Sequence, residues 1–250
     1  MDLIRITKDN LHTEHICCAI SNDTDCQVVS KKSWLADRFE DGLVFLMVNV
    51  RGKCFIEYIP AERAWAPVDA DNYLYINCLW VSGQFKGQGY SSQLLEACIQ
   101  DANSQGKDGL VILSSKKKMP YLADPKYLQY KGFQVADSAM PYYELRYLPL
   151  KEGANKPMFK EHVKSPQIES DGYVLYYSAQ CPFTAKYVPL IEGIAKERGV
   201  KFTSIKITST EQAQLAPAPF TTYSLFYNHE FVTNEILSDK EFEKMIETMI

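Results

Sequence analysis

Residues 73–106, YLYINCLWVSGQFKGQGYSSQLLEACIQDANSQG, decide the fold. Tyr73 to Val81 reads as a strand. Gly83-Gln84-Phe85-Lys86-Gly87-Gln88-Gly89 is a glycine-bearing turn. Leu94, Leu95, Cys98, Ile99 and Ala102 then recur at helical spacing, and Gly106 ends the helix. The stretch therefore predicts strand, tight turn, helix. Such a turn aims unpaired backbone N–H groups and the positive end of the helix dipole at one point, which suits a phosphate. Gly87 and Gly89 lack a Cβ, so the backbone can take positive φ and a ligand can come close. Two glycines alone leave two readings open, an anion site and a plain connection.

Working outward, Gly109 to Leu113 (GLVIL) is a continuous apolar run, as expected of a strand buried on both faces in a parallel pair. A right-handed crossover should join it to the first strand. Upstream, Leu3 to Thr7 is a short strand. Asp9-Asn10 can cap a helix running to about Ile20, and Ser30 to Phe39 is a second helix. Leu43 to Val50 and Lys53 to Ile59 form a hairpin through Arg51-Gly52. Downstream come a loop from Lys116, a short helix over Pro125 to Lys131, and strands over Gly132 to Ala136 and Tyr142 to Leu148.

Composition narrows the class. The 250 residues suit one large domain or two modest ones, and 46% apolar content allows a full core. A net charge of −4 argues against general nucleic-acid binding. No apolar run follows a basic start and nothing approaches a membrane span, so a cytoplasmic protein is expected. The seven cysteines (Cys17, Cys18, Cys26, Cys54, Cys78, Cys98, Cys181) show no C-x-x-C pair, which points to reduced thiols. The four histidines are scattered. His12 and His15 share a helix face without a further ligand, so no metal is expected.

Gln84-Phe85-Lys86-Gly87-Gln88-Gly89 resembles the Q/R-x-x-G-x-G/A signature of the GNAT N-acetyltransferases. Val81 stands where that family ends its central strand, and Gly132-Phe133 is similar to its Y-x-x-x-G-F feature. The element order over residues 1–150 resembles the whole GNAT core, an α/β (α+β) acyl-CoA N-acyltransferase fold. The resemblance implies acetyl-CoA as cosubstrate. It implies that main-chain groups of Gln84, Phe85, Lys86, Gly87, Gln88, Gly89 and Tyr90 hold its diphosphate. Leu79, Trp80 and Val81 would contact the pantetheine arm and thioester. Glu57, a carboxylate among apolar neighbours on the adjacent strand, is the candidate base; the alternative is an outward-facing surface carboxylate. The family's usual acid, a tyrosine four residues before the glycine of G-F, is here Leu128. Tyr127 and Tyr130 flank it and are the candidates. The Lys116 to Lys118 run is either a solvated loop or a contact for nucleotide phosphates.

The second half begins after a polar stretch, residues 151–171, read as a linker with a strand around Phe159 to Val163 added to a sheet edge. Gly172 to Ser178 is a strand, and a helix runs from Cys181-Pro182-Phe183-Thr184 to Arg198, ended by Gly199. Val200 to Ile207 is a strand. Ser209 with Gln212 has capping-box spacing for a short helix. Strands over Thr221 to Tyr227 and Glu230 to Thr233 follow, joined at Asn228-His229. Ser238 with Glu241 starts the last helix. This order over residues 172–250 resembles the thioredoxin-like fold, and the whole arrangement is similar to the YoaP-like proteins. Thr184 stands where a dithiol motif has its second cysteine, and neither Pro217 nor Pro219 is at the usual cis-proline distance. Cys181, at a helix N-terminus, is the redox candidate, with a favoured thiolate; packing or binding is the other reading.

Together these readings predict an acetyl-CoA-dependent N-acetyltransferase acting on a small-molecule or peptide amine. The alternatives are a catalytically weak CoA-binding or regulatory module, and a thiol redox protein using Cys181. No nucleic-acid or membrane partner is expected. The oligomeric state stays open, a homodimer included.

Overall fold

A computed structural model describes residues 2–16, 18 and 21–249. Seven strands form the first sheet: β1 (Leu3–Ile6), β2 (Val44–Val48), β3 (Cys54–Pro60), β5 (Tyr73–Val81), β6 (Gly109–Ser115), β7 (Gln134–Ala139) and β8 (Tyr143–Pro149). Two-residue β4 (Val68–Asp69) pairs separately with β9 (Met158–Phe159). The large sheet runs β1-β2-β3-β5-β6-β8-β7. Every neighbouring pair in it is antiparallel except β5 and β6, as the apolar run 109–113 required. Helix α2 (Tyr90–Ser104) makes the crossover between those two.

Each face of the sheet carries its own core. Leu94, Leu95 and Cys98 of α2, with Leu128 of α3 (Pro125–Tyr130), cover one face. Trp34 and Leu35 of α1 (Cys26–Arg38), with Trp65, cover the other. Helix α1 starts four residues before the expected Ser30, because the Asp25 side chain accepts from the Gln27 amide at 2.8 Å. The helix expected from Asp9-Asn10 does not form over the described residues: residues 8–13 are turns. Asn10 instead accepts from the Thr7 amide and donates to the Arg5 carbonyl, which closes a turn behind it. The expected end of that helix, Ile20, lies outside the described residues.

The second half builds a four-stranded sheet ordered β11-β10-β12-β13, from β10 (Tyr173–Tyr177), β11 (Phe202–Lys206), β12 (Tyr223–Tyr227) and β13 (Glu230–Thr233). β10 and β11 are parallel and the other pairs antiparallel. Helices α4 (Pro182–Glu197) and α6 (Asp239–Met249) flank it, and α5 (Thr210–Gln214) follows β11. The capping box at Ser238 forms in full, with the Ser238 amide donating to Glu241 Oε2 at 2.7 Å and the Glu241 amide to Ser238 Oγ at 3.4 Å. At Ser209 the Gln212 amide donates to Ser209 Oγ at 3.1 Å, but the Gln212 side chain accepts from Thr208 instead.

The two halves share apolar contacts. Ile207, Ala213 and Ala216 pack into the same core as Trp34 and Trp65. Residues 151–171 are tied down too, with Phe159 and Val163 buried in that core and β9 paired to β4 rather than to the large sheet. Among the described residues no helix is long and apolar enough to cross a membrane.

Candidate active site

The site begins where β5 and β6 part. Their pairing runs from Tyr73–Gly109 to Ile76–Ile112 and stops, while β6 continues along β8 to Ser115. On its other side β5 stays paired with β3 out to Val81. Residues 77–81 thus present an open strand edge towards the gap, with main-chain donors and acceptors free for an extended ligand. A bulge sits at the parting point. Glu57 pairs with Cys78 and Tyr58 with Ile76, so Asn77 is the extra residue. Asn77 and Cys78 therefore share the α1 side of the sheet instead of alternating.

Beyond β5, the turn and α2 take the strand–turn–helix geometry expected of this stretch. Gly83, Gly87 and Gly89 have φ of 61°, 77° and 80°, the left-handed region that favours glycine. Space for a Cβ at each of them is open. Gly89 is the N-cap of α2 and supplies no side-chain cap. Among the described residues, no acceptor meets the amides of Gly87 to Ser91. The turn is braced from outside the cradle. The Phe85 ring lies against Gly52, where a Cβ would come within 2.0 Å of it, and the Gln88 side chain donates to the Gln84 carbonyl at 2.7 Å.

A cavity of about 750 Å³ runs from Lys86, Gly87 and Gly89 along the open edge of β5 to Glu57 and Trp65. The second half supplies part of the far wall, through residues 180–183 and 219–222. Thr221 Oγ1 donates to the Trp65 carbonyl, and Trp65 Nε1 donates to Thr210 Oγ1 at 3.1 Å, fixing that wall in place.

Glu57 faces this end, buried, not the solvent as the alternative reading had it. Oε2 accepts from Lys31 Nζ, and Oε1 accepts from Asn77 Nδ2 at 3.0 Å. Lys31 and Glu57 are 2% and 1% exposed, and Lys31 also donates to the Gln180 carbonyl at 2.7 Å. Burial alone would lower the Lys31 pKa, but the Glu57 carboxylate against it holds it above the ordinary lysine value. The pair is thus a fixed positive–negative couple inside the slot. Lys31 was not among the residues expected from the sequence. Its one signal is its place on the apolar face of α1, with Val28, Trp34 and Leu35.

Helix α3 separates the two tyrosine candidates. Leu128, in the family's tyrosine position, is buried in the core. Tyr127 lines the cavity with its hydroxyl buried and without a hydrogen-bond partner. Burial raises its pKa, so the phenol keeps its proton at neutral pH. Tyr130 is 82% exposed and points away from the site; its candidacy as acid is corrected. Lys118 reaches the cavity rim, paired with Asp124 at 3.5 Å, while Lys116 and Lys117 are solvated.

Cys181 is the N-cap of α4 and keeps part of its surface open to the cavity. The activated thiolate expected there is not favoured: Cys181 is half-buried, and desolvation pushes its thiol up to about 11, despite the Phe183 amide and Lys31. Cys18 shares this end and is pushed up to about 12 by burial. Among the described residues no three His, Cys, Asp or Glu side chains are grouped to hold a metal ion.

The open-edged central strand, the glycine turn and the helix behind it define an acyl-CoA transferase. Comparison with known proteins agrees: residues 8–118 match the acetyltransferase (GNAT) family and residues 201–244 the YoaP-like family. The chain belongs to the GNAT acetyltransferases and is an N-acetyltransferase that takes its acetyl group from acetyl-CoA. It is 45% identical, over 250 residues and the whole of both chains, to the uncharacterized N-acetyltransferase YoaP of Bacillus subtilis (strain 168). Among solved structures it is similar to the GNAT family N-acetyltransferase YhbS from Escherichia coli in complex with CoA. That likeness has 16% identity, covers 64% of this chain and 89% of the other, and has a TM-score of 0.41. It is also similar to yncA from Salmonella typhimurium with acetyl-CoA, at 17% identity, 62% and 96% coverage and a TM-score of 0.42.

Proposed function

We propose that the chain acetylates a primary amine of a small molecule or peptide in the cytoplasm, with the residues above in the following roles. The amides of Gly87 to Tyr90, with the rest of the turn from Gln84, hold the diphosphate of acetyl-CoA. The open edge of Leu79, Trp80 and Val81 takes the pantetheine arm, and a β5 amide polarises the thioester carbonyl. Glu57 takes a proton from the incoming ammonium. Lys31 and Asn77 hold its two oxygens in place, and each oxygen keeps a further lone pair for that proton. Tyr127 supplies a proton to the departing CoA sulfur.

The observation that carries this reading is the parting of β5 from β6 directly ahead of an uncapped helix start, with one cavity joining both to Glu57. Calorimetric titration with acetyl-CoA tests it. Saturable 1:1 binding is expected, and absence of binding at millimolar cosubstrate overturns it.

Residues 1–150 form the acetyltransferase domain in this reading, 151–171 the connector and 172–250 a thioredoxin-like domain. The strand order β11-β10-β12-β13, with its single parallel pair and flanking helices, supports that last assignment. Thr184 in place of a second cysteine, and the raised Cys181 pKa, favour a wall-forming role over dithiol exchange.

A further inference from the structure

We propose that Asn77 receives the acceptor amine, and that the acceptor is a small primary amine, not the end of a polypeptide. The proposal rests on the reading of Glu57 as base and deepens it.

The orientation of the Asn77 amide is fixed chemically. Its Nδ2 donates to the Glu57 carboxylate at 3.0 Å, and an amide oxygen turned that way would face negative charge. The oxygen Oδ1 is therefore directed elsewhere. It is buried, has no partner, and belongs to a residue lining the cavity. A buried acceptor without a donor is costly, and such atoms gather where a ligand completes them. The bulge explains why it is there: an extra residue at the parting of β5 and β6 aims a side chain at the start of the open edge. Asn77 Oδ1 and the free lone pairs of Glu57 make two adjacent acceptors, which fit the three donors of a primary ammonium.

The size limit comes from the second half. The Gln180 carbonyl is held by Lys31, and Thr221 is held by the Trp65 carbonyl. Cys181 and Phe220 fill the wall between them. Lys31 ties the Gln180 carbonyl to Glu57, and so to the Asn77 end of the cavity, which these partly buried residues narrow. A continuing main chain would have to displace them, whereas a compact amine would not.

In the reaction the ammonium gives one proton to Glu57. The neutral nitrogen attacks the thioester carbonyl carbon, the C–N bond forms and the C–S bond breaks. Tyr127 gives its proton to the departing CoA sulfur and is reprotonated by the second amine proton, leaving amide and free CoA.

The test measures CoA thiol release by the full chain with small amines (alkylamines, diamines, amino sugars, amino acids) and with tetrapeptides bearing free N-termini or lysine. At least one small amine should be turned over faster than every peptide. Asn77→Ala should raise the KM of that amine by about ten- to a hundredfold, the worth of a hydrogen bond to a charged group, with acetyl-CoA affinity by calorimetry unchanged within about twofold. If that variant loses acetyl-CoA binding, Asn77→Ser carries the comparison. A preference for peptides, acetyl-CoA binding without turnover of any small amine, or an unmoved amine KM overturns the proposal while the acetyltransferase reading stands. Absence of acetyl-CoA binding by the wild type removes both.

Discussion

Helices α2 and α4 each follow a sheet strand, and their two starts differ. Helix α2 is capped by Gly89, the last of three positive-φ glycines with open space around each. Helix α4 begins at Cys181, with Pro182 inside its first turn and the Thr184 hydroxyl turned back onto the Ser178 and Cys181 carbonyls. Both carry the same helix dipole. The difference is access. Around α2 the amides face solvent-filled space, so an anion can reach them. Around α4 the neighbouring thiol is half-buried near Lys31 and Glu57, and desolvation outweighs the dipole. A helix start favours negative charge only where the charge keeps company or water.

The largest effect should follow from closing the open start. Gly87→Val and Gly89→Val force a β-branched residue to φ near 80° and place side-chain atoms in the cradle. Acetyl-CoA affinity by calorimetry should fall at least ~100-fold, given about 1–3 kcal/mol of strain plus lost contacts. A loss under tenfold would break the contrast between the two starts.

The buried couple beneath α4 comes next. Lys31→Met leaves Glu57 uncompensated and should cost ~3–5 kcal/mol in urea denaturation. The sign with pH is set by the raised Lys31 pKa. Stability from a raised group is full below its unfolded value and is lost as pH rises through the folded one. The gap between wild type and Lys31→Met should therefore hold steady across neutral pH and shrink only above the ordinary lysine value of 10.5.

Thiol reactivity sharpens the comparison directly. With its pKa near 11, Cys181 should alkylate at neutral pH far more slowly than exposed Cys26, by roughly 100-fold if thiolate fraction governs. Iodoacetamide labelling read by mass spectrometry checks this, and faster labelling of Cys181 would restore the activated-thiolate reading. The smallest effect separates the tyrosines. Tyr127→Phe should lower kcat for CoA release about tenfold, near the low end for a lost proton donor, and Tyr130→Phe should leave it within about twofold, as at most surface positions.

The glycine turn was legible in the sequence because everything it needs is local. Gly83, Gly87, Gly89 and the apolar rows of 94–102 lie within one short stretch, and glycine placement alone reports positive φ. The parallel strand after it was legible for the same reason: a run of apolar residues without alternation has to be buried on both faces. The amine end was not. Glu57 could be picked out, but not its direction, since an alternating strand permits either face until the register is known. Asn77 takes its meaning from a bulge that involves β3 as much as β5. Lys31 meets a carbonyl 149 residues away.

The sequence by itself determined the order of elements, the crossover and the glycine turn, since backbone conformational preference and hydrophobic periodicity act over a few residues. Tertiary structure alone decided which thiol is buried, which tyrosine faces the slot, and that Lys31, Glu57, Asn77 and Gln180 meet. The energies of those groups depend on desolvation and on partners from other segments, and burial is a property of the packed chain rather than of any stretch of it.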